Sequence, residues 1–233
     1  MLELFPAGFE EIEGADGIEL VAYTDGRGEE LIAQAFGGAQ GADVAEDWEE
    51  RWKAFHRGIS IAGLWVGPPW EEPPAGATAV VIDPGRAFGT GAHPTTRVCL
   101  ELLAELERGS LLDIGCGSGV LAIAGSKLGY EPVTAIDLDP QAVEAARANA
   151  IANEVVLEAR LADALGGALP AADLALANIT LEAVELLGPL LASRRAVTSG
   201  YLVSEQPELD GFRIVERRQR EGWAADIWER ESI

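Results

Sequence analysis

The sequence is poor in cysteine, in basic residues and in long apolar runs, and each shortage narrows what the protein can be. Its 233 residues contain two cysteines, Cys99 and Cys116, which lie in apolar contexts without the spacing of metal ligands. This predicts no metal centre and a location in a reducing cytoplasm. No apolar run approaches the length of a membrane span. The first residues lack the basic region and cleavage site of a signal peptide, so we expect neither secretion nor membrane insertion.

The shortage of basic residues leaves a formal net charge of −22, because 17 lysines and arginines face 39 aspartates and glutamates. A surface that binds nucleic acid should be basic, so this balance argues against nucleic acid as the main partner. It is compatible with a small-molecule substrate or with a basic protein. It is equally compatible with an acidic surface that serves only solubility.

A length of 233 residues is enough for one complete α/β domain and a small companion domain, and a hydrophobic content of 48% allows a sizeable core. We expect the companion to be an α+β domain over residues 1–66, whose last strand is 59–66. Four prolines among residues 67–74 predict a stiff linker, which we place at 67–78.

The larger domain is expected over residues 79–233, where strand patterns alternate with helical patterns. This alternation predicts a parallel sheet covered by helices on both faces. Two final strand patterns, at 212–217 and 223–229, predict an antiparallel hairpin at one end of that sheet.

The stretch from 111 to 119 runs from apolar residues into Asp113 and then into three glycines at alternate positions. It predicts a buried strand, a tight turn and a helix. The glycines allow the backbone to approach a ligand closely, and the helix presents unpaired N–H groups there. Asp137 ends the next strand about 20 residues later, where an acidic residue can accept hydrogen bonds from a ribose. For the turn taken alone, a βα turn without a ligand is the alternative.

The glycine spacing G-x-G-x-G, with Asp113 two residues before the first glycine, resembles that of the class I methyltransferases. The resemblance implies a Rossmann-like α/β sheet, mostly parallel with an antiparallel end. It also implies S-adenosylmethionine as the cofactor, bound at the glycine-rich turn.

A loop rich in glycine and threonine carries a more specific resemblance. From Asp83 to Thr96 it reads Asp-Pro-Gly-x-Ala-Phe-Gly-Thr-Gly-x-His-Pro-Thr-Thr, similar to the signature of the bacterial methyltransferases of large-subunit ribosomal protein eleven (L11). The match continues through 113–119, 135–140 and 177–179. Members of that family methylate lysine side chains and an N-terminal amine of their ribosomal protein. The resemblance therefore implies this activity, with a basic ribosomal protein as the partner, and we expect a monomeric cytoplasmic enzyme.

Asn178 is the residue that we expect at the centre of the reaction. It ends a predicted strand, at the edge where open α/β sheets bind ligands, and its oxygens can accept hydrogen bonds from an amine. In other amino-directed methyltransferases this asparagine begins an Asn-Pro-Pro-aromatic motif, whereas Ile179 and Thr180 follow it here. The departure points away from DNA bases and glutamine amides as acceptors. An asparagine that only forms a turn is the alternative.

The resemblance also assigns the remaining site residues. It implies that five residues contact the cofactor and that Phe88 covers it; the five are Thr96, Gly115, Gly117, Asp137 and Asn178. Asp163 follows a predicted strand, where it either meets the adenine amino group or caps a helix. His93 is expected to orient the loop rather than to act in catalysis.

No constellation of a general base is found, and the chemistry does not require one. The attacking amine must be neutral, and burial in an apolar mouth lowers a lysine pKa from its usual value of about 10.4. Residues 1–66 match only part of the ferredoxin-like module with which the family holds its substrate. A methyltransferase with another protein or a small molecule as acceptor is therefore an alternative, and so is a non-catalytic cofactor-binding protein.

Overall fold

The computed structural model describes residues 10–14, 17–21, 26–36, 56–84 and 89–231, and the chain divides into two compact units, Met1–Glu49 and Glu50–Ile233. The first unit contains an antiparallel pair, β1 (Glu10–Gly14) and β2 (Gly17–Val21), followed by helix α1 (Gly26–Phe36). The ferredoxin-like arrangement of this region stays a prediction.

A small sheet of three strands lies early in the second unit: β3 (Ile59–Ile61), β4 (Leu64–Gly67) and β5 (Thr78–Val81). The prediction of one strand over 59–66 was wrong. Ala62 and Gly63 adopt positive φ angles of 52° and 80°, so the chain turns back and β3 pairs antiparallel with β4. The proline-rich stretch joins β4 to β5, which run parallel to each other. The domain boundary expected there stays a prediction.

The main sheet has seven strands in the order β11-β12-β10-β9-β6-β7-β8. Its five parallel strands confirm the alternating pattern: β6 (Leu111–Ile114), β7 (Val133–Asp137), β8 (Glu158–Leu161), β9 (Leu174–Asn178) and β10 (Arg195–Leu202). The predicted hairpin is also present, as β11 (Phe212–Arg220) and β12 (Trp223–Arg230). It adds an antiparallel end, because β12 pairs antiparallel with both β10 and β11.

Two of the helices in the second unit begin at a residue whose side chain caps them. The helices described in this unit are α2 (Pro94–Glu105), α3 (Val120–Leu128), α4 (Pro140–Ala152) and α5 (Leu181–Leu187). Helices α2 and α4 begin with proline, whose missing N–H is not needed in a first turn. Asp139 caps α4 by accepting a hydrogen bond from Gln141 N at 2.8 Å. Across the described residues, every helix is too short or too polar to span a bilayer.

Alternation along the strands places a large hydrophobic cluster on each face of the main sheet. In β9, Leu174 and Leu176 join the cluster that includes α2 and α3, whereas Ala175 and Ala177 join the cluster that includes Leu187 of α5. Both faces of the central strands β6 and β9 are therefore buried, as a sheet covered on two sides requires.

The tip of the β11–β12 hairpin is joined to α2 by ion pairs. Residues four apart in a helix share one face, and three such residues of α2 each meet a residue of the hairpin: Arg97 with Glu221 at 3.6 Å, Glu101 with Arg220 at 2.5 Å, and Glu105 with Arg218 at 2.9 Å. The edge hairpin is thereby fixed along the helix that begins at the predicted site.

Candidate active site

The glycine-rich turn follows directly from the end of β6. Gly115, Gly117 and Gly119 have φ angles of 71°, 52° and 81°, a region that residues with a Cβ rarely enter. The amides of Gly115 and Cys116 donate to the carbonyl of Ile136 at 2.9 and 3.1 Å, which fixes the turn against β7. The turn therefore has the backbone form that brings N–H groups close to a ligand.

Asp137 ends β7 beside this turn. Its Oδ2 accepts a hydrogen bond from Gly117 N at 2.9 Å, and its Oδ1 accepts one from Asp139 N at 3.0 Å. A carboxylate has about four lone-pair sites, so both oxygens keep capacity for further donors such as ribose hydroxyls. These residues fit the nucleoside part of S-adenosylmethionine, since the turn carries no Cβ and the carboxylate is already held in place.

Asp113 lies beneath the turn and is 1% exposed. Its Oδ2 accepts a hydrogen bond from Ala122 N in the first turn of α3, at 3.0 Å. Burial raises the pKa of this carboxyl to about 7; the bond from Ala122 acts against the rise, and the nearby charge of Asp137 adds to it. Asp113 thus joins the strand end to the helix and stands away from solvent.

Asn178 and Thr96 meet at the same edge of the sheet. Asn178 is the last residue of β9, and its Nδ2 lies 3.4 Å from Oγ1 of Thr96, which is 3% exposed. The carboxyl ends of β6, β7 and β9 are neighbours in the sheet, so the glycine turn, Asp137 and Asn178 share one edge. The structure therefore brings together two residues that are far apart in sequence.

The start and the middle of the signature loop are held by buried side chains that the sequence reasoning missed. Ser118 Oγ donates to the carbonyl of Gly89 at 2.6 Å. Asn149 of α4 accepts a hydrogen bond from Asp83 N at 3.2 Å and donates to the carbonyl of Ser118 at 2.9 Å. The signal for Asn149 was present, since it is a polar residue on the otherwise apolar face of α4. Phe88, the predicted cover of the cofactor, lies outside the described residues.

His93 sits at the N-terminus of α2. Its Nδ1 lies 2.8 Å from Oγ1 of Thr95 and accepts from Thr95 N at 3.4 Å, while its ring meets Trp223 edge-on with centroids 4.8 Å apart. Burial lowers the pKa of His93, and the charge of Glu221 acts against this. These contacts place His93 as a cap between loop and helix.

Asp163 begins a turn rather than a helix. Its Oδ1 accepts from Leu165 N at 2.9 Å and its carbonyl accepts from Gly166 N at 3.1 Å. It lines an open hollow of about 480 Å³ together with Ile136, the residue that precedes Asp137 in the chain. Its contact with adenine stays a prediction. Within the part of the chain that the structure describes, no cluster of His, Cys, Asp and Glu side chains is arranged to hold a metal ion.

Comparison with known proteins identifies the family. The family described as "Ribosomal protein L11 methyltransferase (PrmA)" matches residues 21–231. The ribosomal protein L11 methyltransferase of Laribacter hongkongensis is 46% identical over 174 residues, which cover 71% of this chain and 58% of that protein. Its counterpart from Pelobacter propionicus is 41% identical over 209 residues, covering 80% and 67%.

A solved structure agrees with these matches. The ribosomal protein L11 methylase of Lactobacillus delbrueckii subsp. bulgaricus superimposes with a TM-score of 0.66 at 27% identity, covering 76% of this chain and 100% of that one. The chain spans 58% and 67% of the length of the two curated relatives named above. S-adenosylmethionine, the cofactor expected from the glycine-rich turn, is the methyl donor of these proteins. The chain therefore belongs to the ribosomal protein L11 methyltransferase family and has the Rossmann-like class I methyltransferase fold.

Proposed function

We propose that the chain transfers methyl groups from S-adenosylmethionine to lysine side-chain and N-terminal amines of ribosomal protein L11. Family membership supports the reaction class, and the relatives are named for this substrate. The observation that carries the proposal is the meeting of Asn178 with Thr96 at the sheet edge that also holds the glycine turn and Asp137.

The described residues divide into those that would hold the cofactor and those that would face the amine. The turn at Gly115 and Gly117 would take the cofactor along its backbone, Asp137 would accept from the ribose, and Asp163 would meet the adenine. When bound, S-adenosylmethionine supplies an electrophilic methyl group on its sulfonium. What remains for the protein is to bring the amine into line, which is a matter of positioning.

Asn178 would perform that positioning. Its Nδ2 is directed to Thr96 Oγ1. This orientation leaves Oδ1 of Asn178 as the acceptor for an amine N–H. Acceptance at a fixed oxygen orients the nitrogen lone pair of a neutral amine toward the methyl group. The amine loses its proton on leaving water, because desolvation lowers the pKa of an ammonium group. His93 is engaged as a helix cap, so we assign it no proton transfer.

The net charge and the state of the cysteines bear on the partner and the compartment. An excess of acidic residues, with a net charge of −22, suits attraction to a basic protein and disfavours direct contact with nucleic acid. Cys99 and Cys116 are both buried free thiols, as is usual in a reducing cytoplasm. We therefore infer a cytoplasmic enzyme that acts as a monomer on ribosomal protein L11.

The proposal is tested by titration calorimetry with S-adenosylmethionine, followed by incubation with labelled cofactor and purified ribosomal protein L11. Binding with transfer of label to L11 is expected. The variant Asn178→Ala should lose about 100-fold or more in transfer, since the amine is no longer held. It should weaken cofactor binding by a much smaller factor, since the glycine-rich turn and Asp137 still hold the cofactor. Gln219→Ala is the matched control, because it also removes a side-chain amide, here an exposed one on the edge strand β11. It should transfer at the wild-type rate.

Other outcomes would identify the alternatives. Binding with transfer to a different protein or to a small molecule would contradict the assignment of L11 while keeping the reaction class. Binding without transfer to any acceptor would favour a non-catalytic cofactor-binding protein. Absence of cofactor binding would contradict the whole proposal.

A further inference from the structure

Ile179, the residue that replaces the first proline of the Asn-Pro-Pro-aromatic motif, lies between two glycines that are far from it in sequence. The first is Gly200 in β10, at a φ of 105°. A Cβ placed there would lie 1.9 Å from the carbonyl oxygen of Ile179, 2.7 Å from its carbonyl carbon and 3.0 Å from its nitrogen. All three are backbone atoms, so no rotation of a side chain could relieve the overlap.

The second glycine is Gly115, the first glycine of the glycine-rich turn. A Cβ on Gly115 would lie 2.4 Å from Cγ2 of Ile179. The absence of a side chain at this position therefore does more than open the turn to a ligand. It also admits the branched methyl group of Ile179 against the turn.

The surroundings hold Ile179 in this place. Its amide donates to the carbonyl of Ser199 at 3.1 Å, which continues the parallel pairing of Asn178 with Ser199 by one bond. Its side chain packs on two separate hydrophobic clusters, one of which contains Ile114 and the other Tyr201. Between Ser199 and Tyr201, the pairing of β10 with β12 shifts register at Gly200. This irregularity at Gly200 leaves the space that the backbone of Ile179 occupies.

These contacts connect β10, through Ile179, to the glycine-rich turn. The backbone of Ile179 is set by Gly200 on one side, and its side chain is set by Gly115 on the other. Asn178 is joined to Ile179 by one peptide bond, so any shift of that peptide moves the amide group that faces Thr96.

We propose that Ile179 and Gly200 are positioning residues, which fix Asn178 at its place beside the glycine-rich turn. Neither residue needs to touch the cofactor or the amine. The catalytic part of this inference rests on the proposed function, whereas the structural part concerns the Asn178–Ile179 peptide alone.

The first test is Gly200→Ala, with Gly129→Ala as its matched control. Gly129 has a φ of 94°, and a Cβ there would meet nothing within 4 Å. Both variants therefore carry similar backbone strain, and only Gly200→Ala displaces Ile179. We expect Gly200→Ala to bind S-adenosylmethionine within about three-fold of wild type and to lose about 100-fold in kcat, because a misplacement of about 1 Å can cost that much. Gly129→Ala should keep both values.

A second readout is independent of catalysis. In the protein without added cofactor, the amide of Ile179 should exchange with solvent at least about ten-fold faster in Gly200→Ala, because its bond to Ser199 is strained. The same amide in Gly129→Ala should exchange at the wild-type rate. Equal exchange in the two variants would overturn the inference, whatever the activity. If the wild-type protein methylates no acceptor, the proposed function fails, while the exchange of this amide still decides the structural claim.

A pair of substitutions at Ile179 covers the case in which Gly200→Ala does not fold. Ile179→Val keeps a methyl group toward Gly115, and Ile179→Ala removes it. We expect Ile179→Val to retain kcat within about three-fold and Ile179→Ala to lose about ten-fold or more, both with unchanged cofactor affinity. Equal kcat values for the two variants would overturn the positioning role of the Ile179 side chain.

Discussion

Replacing Asp113 by asparagine is expected to remove a large part of the pH dependence of stability. The Asp113 carboxyl is 1% exposed, and burial raises its pKa from an ordinary 3.8 to about 7. Between these two values the unfolded chain has released this proton while the folded protein still holds it. Stability must therefore fall as the pH rises from about 4 to about 7, and it should level off above that range.

The size of the effect follows from the two pKa values. Each unit of difference corresponds to about 1.4 kcal/mol, so the wild-type protein should lose ~2 kcal/mol of unfolding free energy from this group between pH 5 and pH 7. Asparagine cannot titrate, and its Oδ1 can still accept the bond from Ala122 N. The stability of Asp113→Asn relative to wild type should improve by that amount over the same range.

Urea unfolding followed by tryptophan fluorescence at pH 5, 6, 7 and 8 measures this difference. Asp173→Asn is the matched control. Hydrogen bonds from Ser110 lower the pKa of Asp173, so the stability that it contributes is lost only in more acidic solution. Its difference from wild type should therefore be constant between pH 5 and pH 8. A constant difference for Asp113→Asn as well would refute the raised pKa.

Three further predictions concern the site. Asn149→Ala removes the acceptor of the half-buried amide of Asp83 and the donor to the buried carbonyl of Ser118, so we expect a loss of about 1–3 kcal/mol in unfolding free energy by urea denaturation; an unchanged midpoint would contradict this. Asp137→Ala should weaken S-adenosylmethionine binding by about 10-fold or more in calorimetry, since hydrogen bonds to a charged group contribute about 1.5–3 kcal/mol; unchanged affinity would remove Asp137 from the cofactor site. Burial raises the pKa of both thiols, Cys99 and Cys116, so neither should react with a disulfide reagent at pH 8 until the protein unfolds; rapid reaction of the native protein would refute that.

Features encoded by neighbouring residues were predictable from the sequence. The helix starts at Pro94 and Pro140 follow from proline and its preceding cap, and the glycine turn follows from the apolar run into Asp113. These signals act within a few residues, so their structural meaning does not depend on the rest of the chain. The family resemblance then supplied what local patterns could not, since it grouped Thr96, Asp137 and Asn178 as expected contacts of one cofactor.

Features that depend on distant contacts were not predictable in the same way. The turn between β3 and β4 is formed by Ala62 and Gly63; Ala62 ordinarily avoids a positive φ, so Gly63 alone was a weak signal for a turn inside the apolar run. From sequence alone, Gly200 is a residue that weakens a strand. Its role depends on the close approach of the Ile179 backbone, which only the structure shows. Asn149 gave a hint by its polarity, but its partners lie 31 and 66 residues away.

The ion pairs between α2 and the β11–β12 hairpin affect how the hairpin is aligned along the helix. Partly exposed pairs at a protein surface contribute only about 0–1 kcal/mol each and are screened by salt, so they add little to the free energy of unfolding. Their order along the helix matters more, because the pair of Arg97 with Glu221 reverses the polarity of the other two. A hairpin displaced by one helical turn would set Glu221 against Glu101, so repulsion opposes the slip. A single reversed pair thus disfavours a shifted alignment of the edge hairpin on the helix that begins beside Asn178.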